Sequence, residues 1–73
     1  MANYRFHLTS EYIELDNLLK HLGLAPSGGA AKAMVADGLV KVDGELETRK
    51  TRKLRAGQVV SLGDDTVTVL PPT

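Results

Sequence analysis

The sequence predicts an α+β domain in which a two-helix pair packs on a small antiparallel β-sheet. Leucines recur with helical spacing between residues 15 and 22, and a second apolar segment follows after a short turn. From residue 40 onward, apolar residues alternate with polar ones in short stretches. These periods are typical of half-buried helices and half-buried strands. Their order along the chain indicates helices on one face of an antiparallel sheet.

Length and composition predict one domain, residues 1–73. Of the 73 residues, 42% are hydrophobic and 25% are charged, the usual balance of a folded globular domain. The absence of cysteine excludes disulfides, a catalytic thiol and cysteine-ligated zinc. No apolar run approaches the roughly 18 residues of a membrane helix, and the N-terminus lacks the apolar core of a secretory signal. We therefore expect a soluble cytoplasmic protein with no membrane partner.

The first predicted elements are a strand and a helix. Apolar and polar residues alternate over residues 4–8, which predicts a short strand. The helix has one apolar stripe, formed by Leu15, Leu18, Leu19 and Leu22. Its start is left open between Ser10 and Glu14. Gly23 is the predicted stop because glycine adopts the left-handed conformation without steric cost.

The second helix is predicted to begin after Ser27. Pro26 disfavours helix at the preceding residue, and the Ser27 hydroxyl is a suitable N-cap. Ala31, Met34 and Val35 form the predicted buried side of this helix, and Gly38 ends it. The short connection predicts that the two helices form a helix–turn–helix pair.

Asp43-Gly44 predicts a β-hairpin, for which two registers are possible. A two-residue loop would place Val40 opposite Glu47, whereas a three-residue loop would place Val40 opposite Leu46. We predict the three-residue loop because it puts two apolar side chains on the face that must be buried.

A second hairpin is predicted near the C-terminus, with a turn around residues 63–65. Its four apolar residues would share one face, with Val60 and Leu62 facing Val67 and Val69. Pro71 is expected to end the last strand because proline cannot donate to a ladder.

The charges are segregated along the chain, although the formal net charge is zero. Residues 49–55, RKTRKLR, are called the basic segment here. It contains five of the nine basic residues and no acid: Arg49, Lys50, Arg52, Lys53 and Arg55. Such a cluster predicts contact with phosphate backbones, and the lack of interleaved aromatic residues favours structured RNA over single strands. The alternative is a solvated surface balanced by Glu45, Glu47, Asp64 and Asp65.

The start of the second helix is a candidate anion site. Free amide groups at a helix start, made accessible by Gly28 and Gly29, can approach a phosphate closely. The Ser27 hydroxyl lies at the same place, and the Lys32 side chain would lean back toward it. A plain capped helix with a glycine lead-in explains the same residues more simply. The spacing of a P-loop is absent.

No other constellation indicates an enzyme or a metal site. His7 and His21 are interpreted as ordinary polar residues, and no histidines or acids have metal-ligand spacing. No nucleophile–base pair is visible, which disfavours a hydrolase. The three aromatic residues, Tyr4, Phe6 and Tyr12, are interpreted as core or edge packing.

Taken in order, the residues resemble a known family. The motif comprises Leu15-Asp16, Leu18, Leu19, Gly23, Ser27, Ala31, Met34-Val35, Gly38, Val40, Val42-Asp43-Gly44, Gly57 and Val59-Val60. Over roughly residues 13–62, the chain resembles the small RNA-binding domain of the ribosomal-protein-S-four type, also called the alpha-L motif. It is especially similar to short, stand-alone bacterial members, which often carry a basic segment after the hairpin.

The resemblance implies a helix pair on a small, bent sheet that binds ribosomal or transfer RNA, and a ribosome-associated role. It implies no catalysis, cofactor or small-molecule substrate. Carried over by position, Ser27 would bind phosphate, and Lys32 and Lys41 would lie on the RNA face. The chain departs from the family at Glu14 and Gly28, where arginines are common.

We therefore predict a non-enzymatic, monomeric, cytoplasmic protein that binds structured RNA through backbone phosphates. The predicted contacts are Ser27, Gly28, Gly29, Lys32, Lys41, Arg49, Lys50, Arg52, Lys53 and Arg55. The alternative is a protein-interaction module that docks an acidic partner and has weak or lost RNA binding. Glu14, Gly28 and the zero net charge motivate that alternative.

Overall fold

The computed structural model of the chain describes residues 2–72 and contains two helices and two sheets within them. The helices are α1 (Leu15–His21) and α2 (Gly28–Ala36). The strands are β1 (Asn3–His7), β2 (Ile13–Glu14), β3 (Val40–Val42), β4 (Glu45–Leu46), β5 (Lys53–Leu54), β6 (Val59–Leu62) and β7 (Asp65–Leu70). Five strands form one sheet in the order β1-β7-β6-β3-β4, and β2 pairs with β5 in a second, two-stranded sheet.

The five-stranded sheet is mixed rather than wholly antiparallel as predicted. Its hairpins are antiparallel, but β1 lies parallel to β7, with Phe6 opposite Val69. The parallel pair joins the two ends of the described chain, and the whole domain serves as its crossover connection. Turn residues in a sequence predict only antiparallel pairs of strands that are adjacent in the chain. The parallel pairing of β1 with β7 was therefore not predicted.

Both helices pack against one face of the five-stranded sheet. A single core contains the leucines of the α1 stripe, Ala31 and Val35 of α2, and the inward-facing valines of the strands. Leu54 of β5 is fully buried in the same core. No helix in the range 2–72 is both long enough and apolar enough to cross a membrane.

The predicted helix ends are confirmed. Helix α1 follows Glu14, and Gly23 lies just beyond its end with φ of 76°. Helix α2 begins after Ser27, whose hydroxyl accepts a hydrogen bond from the Ala30 N–H at 3.1 Å. Gly38 follows the second helix with φ of 77°. The two glycines allow the left-handed turns that terminate the helices.

The predicted register of the β3–β4 hairpin is wrong. Lys41 pairs with Leu46, so the loop contains only Asp43 and Gly44. Both residues have positive φ, 52° and 83°, as a type I′ turn requires. Leu46 is consequently 59% exposed, and Glu47 takes the inward position, where only 6% of it is exposed. Backbone turn geometry therefore outweighs the burial of one leucine, because the buried carboxylate finds partners of its own.

The second hairpin has its four apolar residues on one face, as predicted, but in a different register. Val60 pairs with Val67 and Leu62 pairs with Asp65, so the turn contains only Gly63 and Asp64 and no apolar residue lies opposite Leu62. Val69 lies farther along β7, where its N–H donates to the Gln58 carbonyl at 2.9 Å. Strand β7 ends at Leu70, directly before the predicted proline stop.

Candidate nucleic-acid interface

The basic segment begins as a turn over residues 49–52, which lies across the start of α1, and continues into β5. The turn is closed by a hydrogen bond from the Arg52 N–H to the Arg49 carbonyl at 3.3 Å. The carbonyls of Arg52 and Lys50 accept hydrogen bonds from the N–H groups of Leu15 and Asp16, at 2.9 and 3.1 Å. The basic segment is therefore fixed at two backbone positions to the first turn of a helix.

This attachment explains how α1 begins without a side-chain cap. Glu14 occupies the N-cap position with extended backbone, and its carboxylate makes no capping hydrogen bond. The first N–H groups of a helix need acceptors, and here the carbonyls of the basic segment supply two of them. Leu54 anchors the same segment to the core, because it is buried and pairs with Ile13 in the two-stranded sheet.

A buried carboxylate lies beneath two of the five cations. Arg49 Nε donates to both carboxylate oxygens of Glu47, at 3.1 and 3.4 Å. Arg49 Nη2 lies 3.0 Å from Oε1, and Arg52 Nη1 donates to the same oxygen at 3.2 Å. The Glu47 side chain is only 7% exposed, whereas those of Arg49 and Arg52 are 73% and 27% exposed. One buried anion thus holds two guanidinium groups at the surface.

The environment of Glu47 lowers its pKa from the ordinary value of 4.5. Burial by itself raises the pKa, because it disfavours the charged form. The hydrogen bonds and positive charges of Arg49 and Arg52 outweigh that effect. Glu47 is therefore ionised at neutral pH and compensates part of the arginine charge.

The last two cations of the basic segment lie over an aromatic ring. Lys53 Nζ is 5.0 Å, and Arg55 Cζ 5.7 Å, from the centre of the Tyr12 ring. Both distances are within the range of a cation–π interaction. Tyr12 is 37% exposed, whereas Tyr4 and Phe6 pack against the core. The predicted packing role is therefore correct for Tyr4 and Phe6. The Tyr12 ring instead makes cation–π contacts with Lys53 and Arg55.

Lys32 of α2 extends toward the basic segment. Its Nζ lies 4.0 Å from Oδ2 of Asp16, a residue that is only 6% exposed. The Asp16 N–H is the same group that bonds to the Lys50 carbonyl. Lys32 and Lys50 are therefore attached to one residue of α1. The helix pair and the basic segment meet at this point.

The start of α2 is accessible, as the sequence predicts. Ser27 and Gly29 are exposed, and Gly28 is half-buried. A Cβ atom at position 28 would meet nothing within 4 Å, and one at position 29 would meet only the Ser27 hydroxyl at 3.9 Å. Packing within residues 2–72 does not require either glycine. Their small size instead leaves the first amides of the helix open to a ligand.

Lys41 lies on a different face of the molecule from these residues. Val40 and Val42 point into the core, so the side chain of Lys41 extends from the sheet face opposite the helices. Arg5 of β1 is exposed on that same outer face, between the inward-facing Tyr4 and Phe6. The structure thus brings together Lys32 and the basic segment but not Lys41. RNA contact by Lys41 stays a prediction.

The structural roles of three residues near this surface were not predicted from the sequence, namely those of Tyr12, Asp16 and Glu47, although Glu47 was one of the four acids named as balancing the basic segment. Glu47 was rejected as an inward residue because it is charged. The signal that would have identified it is the combination of Asp43-Gly44, which favours a two-residue loop, with arginines two and five residues beyond the glutamate. Tyr12 and Asp16 become recognisable only through their contacts with distant lysines.

The two histidines are not part of this surface. His21 packs edge-on against Phe6, with ring centres 5.1 Å apart. His7 Nδ1 lies 3.4 Å from the Pro71 carbonyl oxygen. Within residues 2–72, no group of three histidines or acids is arranged to hold a metal ion.

The pKa of Glu47 predicts how stability depends on pH. Because this pKa is lower in the folded chain than in the unfolded chain, ionised Glu47 stabilises the fold above the ordinary value of 4.5. That stabilisation is lost as the pH falls through the folded pKa. The free energy of unfolding, measured with denaturant at several pH values, should therefore decrease as the pH falls below 4.5, and more steeply in the native chain than in Glu47→Gln. Equal slopes for the two chains would contradict the ion pairs.

Known proteins share both the sequence pattern and this fold. The S4 domain model matches residues 6–70. The chain is 49% identical over 59 residues to "Putative RNA-binding protein YbcJ" of Escherichia coli (strain K12), covering 81% of this chain and 84% of that protein. "Uncharacterized protein YbcJ" of Shigella flexneri gives the same values.

A solved structure agrees with these relatives. The solution structure of YbcJ from E. coli, described as revealing an alfaL motif involved in RNA-binding, matches with a TM-score of 0.70 and 46% sequence identity. The match covers 90% of this chain and 85% of that chain. The predicted α+β fold class, with two helices on a small sheet, is thereby confirmed. The chain belongs to the S4 domain family.

Proposed function

We propose that this chain is a non-enzymatic protein that binds structured RNA through backbone phosphates. The observation that carries the proposal is the attachment of the basic segment to the start of α1, next to Lys32 of α2. The cations of the basic segment are thereby held beside Lys32, a cation from α2. The proposed surface consists of Ser27, Gly28, Gly29, Lys32, Arg49, Lys50, Arg52, Lys53 and Arg55.

The balance of charge on this surface supports phosphate binding. The sequence alone allowed Glu45, Glu47, Asp64 and Asp65 to neutralise the basic segment. Among residues 2–72, Glu47 is the one member of that group that forms ion pairs with it. Two arginines share this single carboxylate, and the same segment contains three more cations. A net positive charge therefore remains, which favours binding to polyanions.

The similar proteins support the same function. The E. coli relative has RNA-binding in its name, and the solved structure of YbcJ is described by a motif involved in RNA-binding. We further propose that the RNA is of the ribosomal or transfer type, and that the chain acts as a ribosome-associated monomer in the bacterial cytoplasm. The family resemblance supports these more specific statements.

Salt dependence tests the phosphate contacts most simply. Each cation on duplex phosphate changes the slope of log affinity against log salt by about −0.9, so five contacts would give roughly −4.5. Lys50→Gln removes one exposed cation of the basic segment and should make the slope shallower by about 0.9. We expect this change in a fluorescence-anisotropy titration of a labelled RNA hairpin.

Arg5→Gln is the matched control for this titration. It also removes one exposed cation, but from the sheet face opposite the helices, and should leave the slope unchanged. Lys41→Gln tests that same face at the residue predicted from the family. Equal effects of Lys50→Gln and Arg5→Gln would contradict the proposed surface. A partner that stays bound after nuclease treatment, together with no binding of the hairpin, would instead favour docking of an acidic protein.

A substitution that restores a family arginine should strengthen binding. Position 28 is the first residue of α2 and has open space around its Cβ direction. Gly28→Arg should therefore fold unchanged and add a phosphate contact beside Ser27. The expected gain in affinity for the hairpin is about tenfold, the scale of one charge-assisted hydrogen bond.

Gly28→Gln provides the control for side-chain size without charge. It should show little of the gain in the same anisotropy titration. An equal gain for both variants, or none for Gly28→Arg, would exclude the start of α2 from the RNA surface.

A further inference from the structure

The surface of the basic segment contains a concave site outside the helix opening. A depression of about 530 Å³ is lined by Arg49, Thr51, Arg52 and Lys53. Two guanidinium groups, a hydroxyl and an ammonium group thus border one concavity. All of these groups can donate hydrogen bonds to an anion.

The arginines of this depression have donors to spare. Arg49 uses Nε and Nη2 toward Glu47, and Arg52 uses Nη1. Within residues 2–72, Nη1 of Arg49 makes no hydrogen bond, and neither do Nε and Nη2 of Arg52. A guanidinium group has five N–H donors in a rigid plane. A carboxylate that fixes one edge of the plane therefore also fixes the direction of the other edge.

The backbone beneath these side chains is also held in place. The turn from Arg49 to Arg52 is closed by its own hydrogen bond, and two of its carbonyls are bonded to the start of α1. Glu47 is fixed in turn, because its N–H donates to the Val40 carbonyl at 3.0 Å. Backbone and side chains are therefore ordered before a ligand arrives, which lowers the entropy cost of binding.

We propose that Arg49, Thr51, Arg52 and Lys53 form a phosphate-binding site, and that the buried carboxylate of Glu47 is the positioning residue that orients its two arginines. This inference rests on the proposed function, since the phosphate is taken to be part of an RNA backbone. The inference goes beyond the proposed function in one respect, because RNA binding would then require an acid, Glu47, that does not itself contact the RNA.

Simple electrostatics gives the opposite expectation for Glu47. Removal of an acid beneath a phosphate site increases the net positive charge, which by itself should strengthen the binding of RNA. Loss of orientation should weaken it, because guanidinium groups released from their partner must be ordered again on binding. The direction of the change therefore distinguishes positioning from charge alone.

The first experiment compares Glu47→Gln with Glu45→Gln by anisotropy, using the labelled RNA hairpin. Both variants remove one acid, and Glu45 is exposed on the same hairpin. We expect Glu47→Gln to weaken binding about tenfold, the scale of one charge-assisted hydrogen bond, and Glu45→Gln to bind as tightly as the native chain or tighter. Unchanged or tighter binding by Glu47→Gln would overturn the inference.

A second set of variants separates positioning from a general loss of structure. Arg49→Lys with Arg52→Lys keeps both charges but removes the planar guanidinium groups. This double variant should also bind the hairpin about tenfold more weakly, and adding Glu47→Gln to it should cause no further loss. A further loss of similar size in the triple variant would indicate that Glu47 acts only through stability, and would overturn the positioning role.

Inorganic phosphate provides a test that does not depend on RNA. In ¹⁵N NMR spectra of the native chain, phosphate should shift the amide signals around residues 49–53, relative to sodium chloride at the same ionic strength. Glu47→Gln should lose these shifts. If phosphate gives the shifts but the hairpin does not bind, the site stands and the proposed function fails. No localised shift in the native chain would overturn the site.

Discussion

One buried carboxylate organises the most highly charged part of this molecule. Glu47 takes an inward position at the end of a tight hairpin and binds two arginines that reach the surface. A buried charge without partners would be strongly unfavourable, so hairpin, carboxylate and arginines depend on one another. The same arginines belong to a turn whose carbonyls complete the first turn of α1. A structural requirement of the core thereby determines where the cations lie.

The helix pair contributes the other half of the proposed surface. Asp16 bonds through its backbone to the basic segment and faces Lys32 through its carboxylate. Through this residue, α1 links the two parts of the proposed RNA surface, namely the basic segment and α2. The opposite face of the sheet carries only scattered charges, including Arg5 and Lys41. This asymmetry is hidden by a formal net charge of zero.

Much of the fold was predictable because its signals are local. The leucine spacing, the Ser27 cap and the glycine stops each depend on residues a few positions apart, and each is found where it was predicted. The parallel pairing of β1 with β7 was not predictable in this way, since it joins the ends of the chain. The burial of Glu47 was not predicted, because it makes sense only together with a two-residue turn and two arginines further along the chain. The cations of the basic segment were identified from composition, but Glu47 could not be singled out from the four nearby acids as their partner.

The central claim is that the start of α2 and the basic segment contact the same RNA. Amide signals of the ¹⁵N-labelled native chain, followed by NMR during titration with the RNA hairpin, test it most directly. We predict shifts at residues 27–29, at Lys32 and along residues 49–55, with little change at Arg5 and its partner Thr68 on the outer face of the sheet. Shifts concentrated on that outer face, with residues 27–29 and 49–55 unaffected, would contradict it.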